Sequence, residues 1–167
     1  MNIFVLDENP HIAAQMTLNK HTIKMPTESM QMICTNLTLL GYNGKLPMKS
    51  VMKNHPCTIW ARLSQENFMW LWNHCKGLCQ EYTKRYYGRI HKVEEYWDTL
   101  SNNAITTFIG NVQFPSQGLT PFALAMPDEC KVKSSAVESY RKYYIMEKSH
   151  IAEWKEPSKA PSWWPQH

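Results

Sequence analysis

The chain has 167 residues, which predicts one domain that is long enough to bury a hydrophobic core without disulfides or metals. Apolar residues make up 43% of it and charged residues 19%, a balance that excludes a disordered chain. The net charge of +4 fits a polyanionic partner but is too small for a ribosomal or histone-like protein.

The opening "MNIFVLDENP" lacks a basic region before its apolar residues and is therefore not predicted to be a signal peptide. No run approaches the roughly 18 apolar residues that a membrane span needs. We expect a cytoplasmic protein without a membrane partner, in which the five cysteines stay reduced. The sequence leaves the oligomeric state open.

Helical periodicity in the long segments and the absence of an internal repeat predict an all-α protein, with one compact domain of about five to seven helices over residues 1–167. The apolar "IFVL" at residues 3–6 has no evident partner strand, so we expect it to dock against the helices. A first helical region begins after Pro10 and ends at Gly41. Pro26 lacks a backbone donor and is expected to kink or break that helix.

Residues 42–56 are predicted to form a loop, and a second helical region begins near Cys57. The strongest helix prediction starts at Ser64, a typical N-cap, with Glu66 in the first turn, and ends at Gly88. Its apolar stripe consists of Phe68, Leu71, Trp72, Cys75, Cys79, Tyr82 and Tyr86.

The remaining sequence is less regular. Residues 91–109 predict a weaker helix or helix pair, and residues 110–133 predict a long ordered loop with apolar anchors. A last helix is expected at about 134–154. The tail, residues 156–167, carries Trp163 and Trp164, which we expect to dock it onto the body.

Candidate catalytic residues lie in the first helical region. Lys20, Lys24, Glu28 and Gln31 share a helical face if the helix passes Pro26 without a large rotation, and His21 lies at its margin. A partly desolvated lysine near a second cation can attack a sugar carbon, and a nearby glutamate can move protons. The alternative is that both lysines are surface groups whose stems cover the core. The candidates are Lys20, His21, Lys24 and Glu28.

Two further helices carry candidate substrate-binding residues. On the strongest helix a second stripe beside the apolar one could line a cleft, or could be a solvated face with an ordinary surface ion pair. Its members are Asn67, Trp70, His74, Glu81 and Arg85. On the last helix, Arg141, Tyr144 and Lys148 suit phosphate contact with base stacking, or could be core tyrosines with basic neighbours in water.

Metal and cofactor chemistry has little support. His74, Cys75, Cys79 and His91 could hold zinc, but both cysteines lie on the apolar stripe, where cysteine usually behaves as a small hydrophobe. The motifs of nucleoside-triphosphate hydrolysis, dinucleotide redox chemistry and the common hydrolases are missing. We therefore predict no metal and no cofactor, which leaves general acid–base or amine-based chemistry.

Several blocks of the chain resemble segments of a known protein family. They are "MNIFVLDENPHIAAQMTLNKHTIKM", "HPCTIWARLSQENFMWLWNHCKGLCQEYTKRYYGRIHK", "GLTPFALAMPDE", "ESYRKYY" and "WKEP" with "WW". Together they resemble a family of small proteins encoded by tailed bacteriophages and some bacteria, over nearly the whole chain. A looser resemblance is to DNA-base excision enzymes of the pyrimidine-dimer glycosylase kind.

The resemblance implies a phage protein in the host cytoplasm, and two positions depart from its pattern. Asn19 stands where an aspartate is expected before "KH", and Pro26 stands where an aliphatic residue is expected after "KM". The small dimer glycosylases use an exposed N-terminal amine, whereas Met1 before the bulky Asn2 is not expected to be trimmed. The resemblance therefore favours Lys20 or Lys24 as an amine nucleophile.

The leading hypothesis is an enzyme that acts on DNA or a nucleotide, with glycosylase or lyase chemistry on a base that has left the duplex. One alternative is a binder of nucleotides or nucleic acid without catalysis, for instance a counter-defence protein that sequesters a host signal nucleotide. The other is a module that blocks a host protein through its tryptophans.

Overall fold

Seven α-helices and three short 3₁₀ turns form the regular structure of residues 1–166, the part of the chain that the computed structural model describes. The all-α prediction and the predicted number of helices are confirmed, and no strand forms within these residues. One hydrophobic core joins the helices into a single domain. The helices are α1 (Pro10–Met16), α2 (Asn19–Leu39), α3 (Pro56–Ala61), α4 (Gln65–Arg85), α5 (Tyr96–Thr99), α6 (Asn102–Asn111) and α7 (Ala136–Glu147).

The N-terminal segment, residues 1–6, docks into the core as predicted. Ile3, Val5 and Leu6 are fully buried. Asn2 fixes the start of the segment because its Oδ1 accepts from the amides of Ile3 and Phe4, while its Nδ2 donates to the Ala125 carbonyl at 2.8 Å. The segment is therefore held by its own turn and by the loop that follows α6.

The first helical region breaks at Thr17 and Leu18, which have extended backbones. The sequence predicted a kink or a break at Pro26, and no break occurs there. Helix α2 runs through Pro26, which is buried and whose carbonyl lies 3.6 Å from Cys75 Sγ on α4. An interior proline costs roughly 3 kcal/mol. Burial of the apolar face of α2 against α4 outweighs that cost.

Helix α4 is the central helix and packs against α1, α2 and α3. It begins as predicted at Ser64, whose Oγ accepts from the Asn67 amide at 3.0 Å. At Gly77 a Cβ atom would lie 3.0 Å from Ala14 Cβ, so only glycine lets α1 approach this closely. Three neighbouring helices leave α4 buried around most of its circumference.

The rest of the chain wraps around this centre. The weak helix prediction corresponds to a 3₁₀ turn at Lys92–Glu95 followed by α5 and α6, and the long loop occupies residues 112–127. Helix α7 ends at Glu147 rather than near residue 154, because the Ser149 hydroxyl donates to the Ile145 carbonyl and a 3₁₀ turn follows. Trp163 and Trp164 pack on the core, and His167 lies outside the described residues.

Candidate active site

Glu28 on α2 holds two amines, one at each carboxylate oxygen. Its Oε1 lies 3.2 Å from Lys24 Nζ, and its Oε2 lies 3.5 Å from the α-amine of Met1. The Glu28 side chain is 17% exposed and the Lys24 side chain 69% exposed. The carboxylate is thus largely fixed within the protein, while the lysine amine reaches solvent.

The fold explains why these groups meet. Lys24 and Glu28 are four residues apart, and α2 keeps them on one face because it continues through Pro26. Met1 arrives from the other side, carried by the buried N-terminal segment. The cluster of Met1, Lys24 and Glu28 is called the amine–carboxylate cluster below.

His55 lies beside this cluster, at the N-cap of α3. Its Nδ1 accepts from the Cys57 amide at 3.1 Å, so the neutral ring carries its proton on Nε2. Burial lowers the pKa of His55, the Met1 amine lowers it further, and Glu28 opposes them. His55 therefore offers a neutral imidazole within electrostatic range of the Met1 amine and the Glu28 carboxylate.

His21 is a packing residue rather than an exposed acid or base. Its ring stacks on Phe4 with centroids 4.2 Å apart, and Nδ1 lies 2.6 Å from the Tyr144 hydroxyl. Burial, with help from Lys148 and Lys24, lowers the pKa of His21 to about 3. The ring is neutral at pH 7, and it positions the N-terminal segment against α7.

The other predicted residues of α2 and α7 have different surroundings. Lys20 is exposed on α2, with no ion pair among residues 1–166. Arg141 Nε donates to the Leu6 carbonyl at 2.9 Å, so it secures the N-terminal segment. Tyr144 is buried against His21, whereas Lys148 lies over the Tyr143 ring, 4.9 Å from its centroid. Lys148 borders the amine–carboxylate cluster through His21.

The predicted second stripe of α4 lies inside the protein, because three helices surround α4. Asn67 exchanges hydrogen bonds with Thr120 at 2.7 and 3.0 Å, and Trp70 Nε1 donates to the Glu8 carbonyl at 2.7 Å. His74 stacks on Trp70, and neither of its ring nitrogens has a partner within the described chain. The structure does not bring these three residues to the amine–carboxylate cluster.

Glu81 and Arg85 form a buried ion pair instead of a surface pair. Arg85 Nε lies 2.9 Å from Glu81 Oε1, and its other nitrogens reach the carbonyls of Thr17 and Gln15 at 2.7 and 3.0 Å. Arg85 Nη1 also lies 3.2 Å from Asn19 Oδ1. This network anchors the break between α1 and α2.

Of the groups in the candidate site, His55 was missed from the sequence, and the Met1 amine was set aside there in favour of Lys20 or Lys24. The apolar "IFVL" was the available signal for Met1, because a docked segment carries its terminus with it. No local pattern marks His55, which is 27 residues from Glu28 along the chain and reaches it only through the fold.

Within the amine–carboxylate cluster only the Lys24 side chain is largely exposed, whereas those of Met1 and Glu28 are 4% and 17% exposed. A cleft of about 550 Å³ lies elsewhere, between Glu8, the loop at residues 119–124 and the start of α7. Within residues 1–166, no three His, Cys, Asp or Glu side chains come together as a metal site would require. None of the described helices combines the length and apolar character needed to cross a membrane.

Comparisons with protein-family models, with curated proteins and with solved structures found no match to this chain.

Proposed function

We propose that this protein acts on DNA by amine-based glycosylase or lyase chemistry, with Glu28 as the proton-transfer group and one of its two bound amines as the nucleophile. The observation that carries the proposal is the amine–carboxylate cluster itself, with Met1 and Lys24 on opposite oxygens of Glu28. An amine with an adjacent base is the arrangement that imine-forming catalysis needs.

The surrounding charge supports a polyanionic substrate. Lys20 and Lys24 are exposed on the same helix as Glu28, and Lys148 and Lys24 both act electrostatically on His21. These cations suit phosphate groups on either side of a reacting nucleotide.

The proposed reaction starts when Glu28 takes a proton from the ammonium group and leaves a neutral amine. The amine nitrogen attacks C1′ of the sugar, a C–N bond forms, and the glycosidic bond to the base breaks. The departing base carries away the bonding electron pair and gains a proton. Glu28 supplies the proton that the departing base gains, and then takes a proton from the nitrogen now bonded to C1′, which restores the nitrogen lone pair. The sugar ring then opens: the lone pair forms the C=N bond, the C1′–O4′ bond breaks, and O4′ receives the proton from Glu28.

Strand cleavage follows from the imine. Removal of a proton from C2′ by Glu28 or by the neutral His55 drives β-elimination, in which the C3′–O bond breaks and phosphate leaves with the electron pair. Water then hydrolyses the imine and restores the amine. No oxidant, reductant or external cofactor enters this sequence.

The test is borohydride reduction during incubation with duplexes that carry an abasic site or a damaged base. Borohydride reduces the imine to a stable amine, so a protein–DNA band on a denaturing gel reports the covalent intermediate. Peptide mapping should place the adduct on Met1 or Lys24. Glu28→Gln should reduce trapping by about 100-fold or more, the usual contribution of a general acid–base group.

Lys49→Ala is the matched control, because Lys49 is an exposed lysine outside the cluster and its loss should leave trapping unchanged. Lys20→Ala should weaken DNA binding, as loss of one phosphate contact does, but should leave trapping at saturating protein unchanged, since Lys20 does not contact Glu28. An adduct on Lys20, or equal trapping by Glu28→Gln, would contradict the assignment of Glu28. Absence of both trapping and cleavage on every duplex would favour the non-catalytic binder.

A further inference from the structure

The turn that follows α4, residues 87–90, projects an aromatic ring into solvent from a strained backbone. Tyr87 has a φ of 56° and Gly88 a φ of 78°. Glycine adopts this left-handed conformation freely, but a tyrosine does so at a cost. The Tyr87 side chain is nevertheless 84% exposed, so burial of the ring does not explain the strained conformation.

Apolar and basic side chains alternate around this ring. Ile90 is 66% exposed and Ile23, on the neighbouring part of α2, is 47% exposed. Lys84, Arg89 and Lys92 are exposed around them. An apolar tip bordered by cations matches duplex DNA, where phosphates flank the base stack.

The 87–90 turn is rigidly attached. The Gly88 amide donates to the Thr83 carbonyl at 2.9 Å. Lys155 Nζ lies 4.7 Å from the centroid of the Tyr87 ring and 5.3 Å from that of Tyr86, so the cation also orders the aromatic side chain.

His91 connects the turn to the candidate active site. Its Nδ1 accepts from the Val93 amide at 3.2 Å, which leaves Nε2–H to donate to the Ile23 carbonyl at 2.9 Å. Ile23 directly precedes Lys24 on α2. Glu28 follows Ile23 by five residues, which is about 7.5 Å along the helix axis. Ile23 and Glu28 are also about 140° apart around the helix axis, so the turn and the amine–carboxylate cluster border opposite edges of the exposed side of α2 that carries Lys24.

We infer that the 87–90 turn is a wedge that enters the base stack of duplex DNA, with Tyr87 and Ile90 filling the space left by a nucleotide that moves toward Glu28. This role rests on the proposed function, which requires C1′ of a paired nucleotide to become accessible. The basic residues around the turn hold the phosphates while the apolar tip separates the bases.

The experiment compares strand cleavage at an abasic site in a duplex with cleavage of the same strand alone. Tyr87→Ala and Ile90→Ala should lose about tenfold or more on the duplex, as removal of a base-stacking side chain does, and should keep their activity on the single strand. Tyr87→Phe retains the ring and should remain active on both. Leu39→Ala is the matched control: Leu39 is 46% exposed and lies about 24 Å from Ile23 along α2.

A second readout separates failure of the wedge from failure of the proposed function. A duplex containing 2-aminopurine should gain fluorescence when the native protein unstacks it, and Tyr87→Ala should abolish that gain. If the native protein cleaves neither substrate, the proposed chemistry is wrong, and this fluorescence alone decides the role of the turn. Two results would overturn the wedge. One is that the native protein produces no gain in 2-aminopurine fluorescence. The other is that Tyr87→Ala and Ile90→Ala lose as much cleavage activity on the single strand as on the duplex.

Discussion

His21 and His74 are both held in their neutral form, and burial is the main cause. Burial lowers the pKa of each to about 3, aided by nearby Lys148 and Lys24 for His21 and by His11 for His74. The unfolded chain binds a proton at each position near the ordinary value of 6.5, so it holds more protons than the native state between those values. Their contribution to stability is therefore complete above pH 6.5 and is lost as the pH falls toward 3.

His74→Leu should flatten this pH dependence. The substitution replaces a ring whose two nitrogens have no partner with an apolar side chain of similar size, so at pH 7 the free energy of unfolding should change by less than about 1 kcal/mol. Below pH 6.5 the free energy of unfolding should fall less steeply in the variant than in the native protein. The difference between the two should be on the order of 1 kcal/mol for each pH unit.

Urea unfolding at several pH values measures the effect. Met69→Leu, a half-buried apolar exchange on the same helix, should keep the native slope. An unchanged slope in His74→Leu would show that His74 is protonated as readily in the native state as in the unfolded chain.

At the scale of elements, α2 illustrates how packing overrides a local signal. Pro26 is a reliable reason to expect a break when only the chain is considered, yet the buried residues of α2 continue on both sides of it. The break occurs instead at Thr17, where Thr17 Oγ1 donates to the Ala14 carbonyl at 2.7 Å and helps to end α1. Continuity through Pro26 places Lys24 and Glu28 in contact.

Pro26→Ala should stabilise the protein by about 1 kcal/mol. An alanine in a helix interior is favoured over proline by roughly 3 kcal/mol, while removing two buried methylene groups costs roughly 1.6 kcal/mol. Pro56 is the matched control because it occupies the first position of α3, where no helical donor is lost.

Pro56→Ala should accordingly give no stabilisation, and thermal or chemical denaturation of the two variants makes the comparison. A clear loss of stability in Pro26→Ala would mean that the pyrrolidine ring contributes more to packing than the missing amide costs.

For the whole molecule, the buried network around Arg85 joins parts that are distant in sequence. The Ser158 hydroxyl donates to Glu81 Oε1, and the Lys155 amide donates to Asn19 Oδ1 at 2.9 Å. The network therefore ties the C-terminal tail to α4 and to the start of α2. Lys155 also orders Tyr87, so the tail supports the proposed wedge.

Arg85→Met should destabilise the protein by about 3–5 kcal/mol, because it leaves the Glu81 carboxylate buried without its main partner. Lys84→Met removes a cation on the same turn that is 48% exposed and 3.9 Å from Glu81, and it should cost less than about 1 kcal/mol. Equilibrium unfolding of both variants at pH 7 measures the difference. Equal effects would show that the buried pair contributes no more than a surface contact.

Much of the architecture could be predicted from local sequence. The Ser64 cap, the long apolar stripe of α4 and the docking of "IFVL" depend on neighbouring residues and on simple periodicity. The surroundings of Asn67, Trp70 and His74 could not be predicted in this way. Whether a polar stripe faces water or another helix depends on how many neighbours the helix has.

The all-α class, the principal helices and the spacing of Lys24 and Glu28 by one helical turn can be read from the chain alone, because they follow from the spacing of side chains along the backbone. The contact of Met1 with Glu28, the approach of His55 to them and the burial of Arg85 arise only in the folded protein. These contacts join residues far apart in the chain, and packing of the whole core selects them.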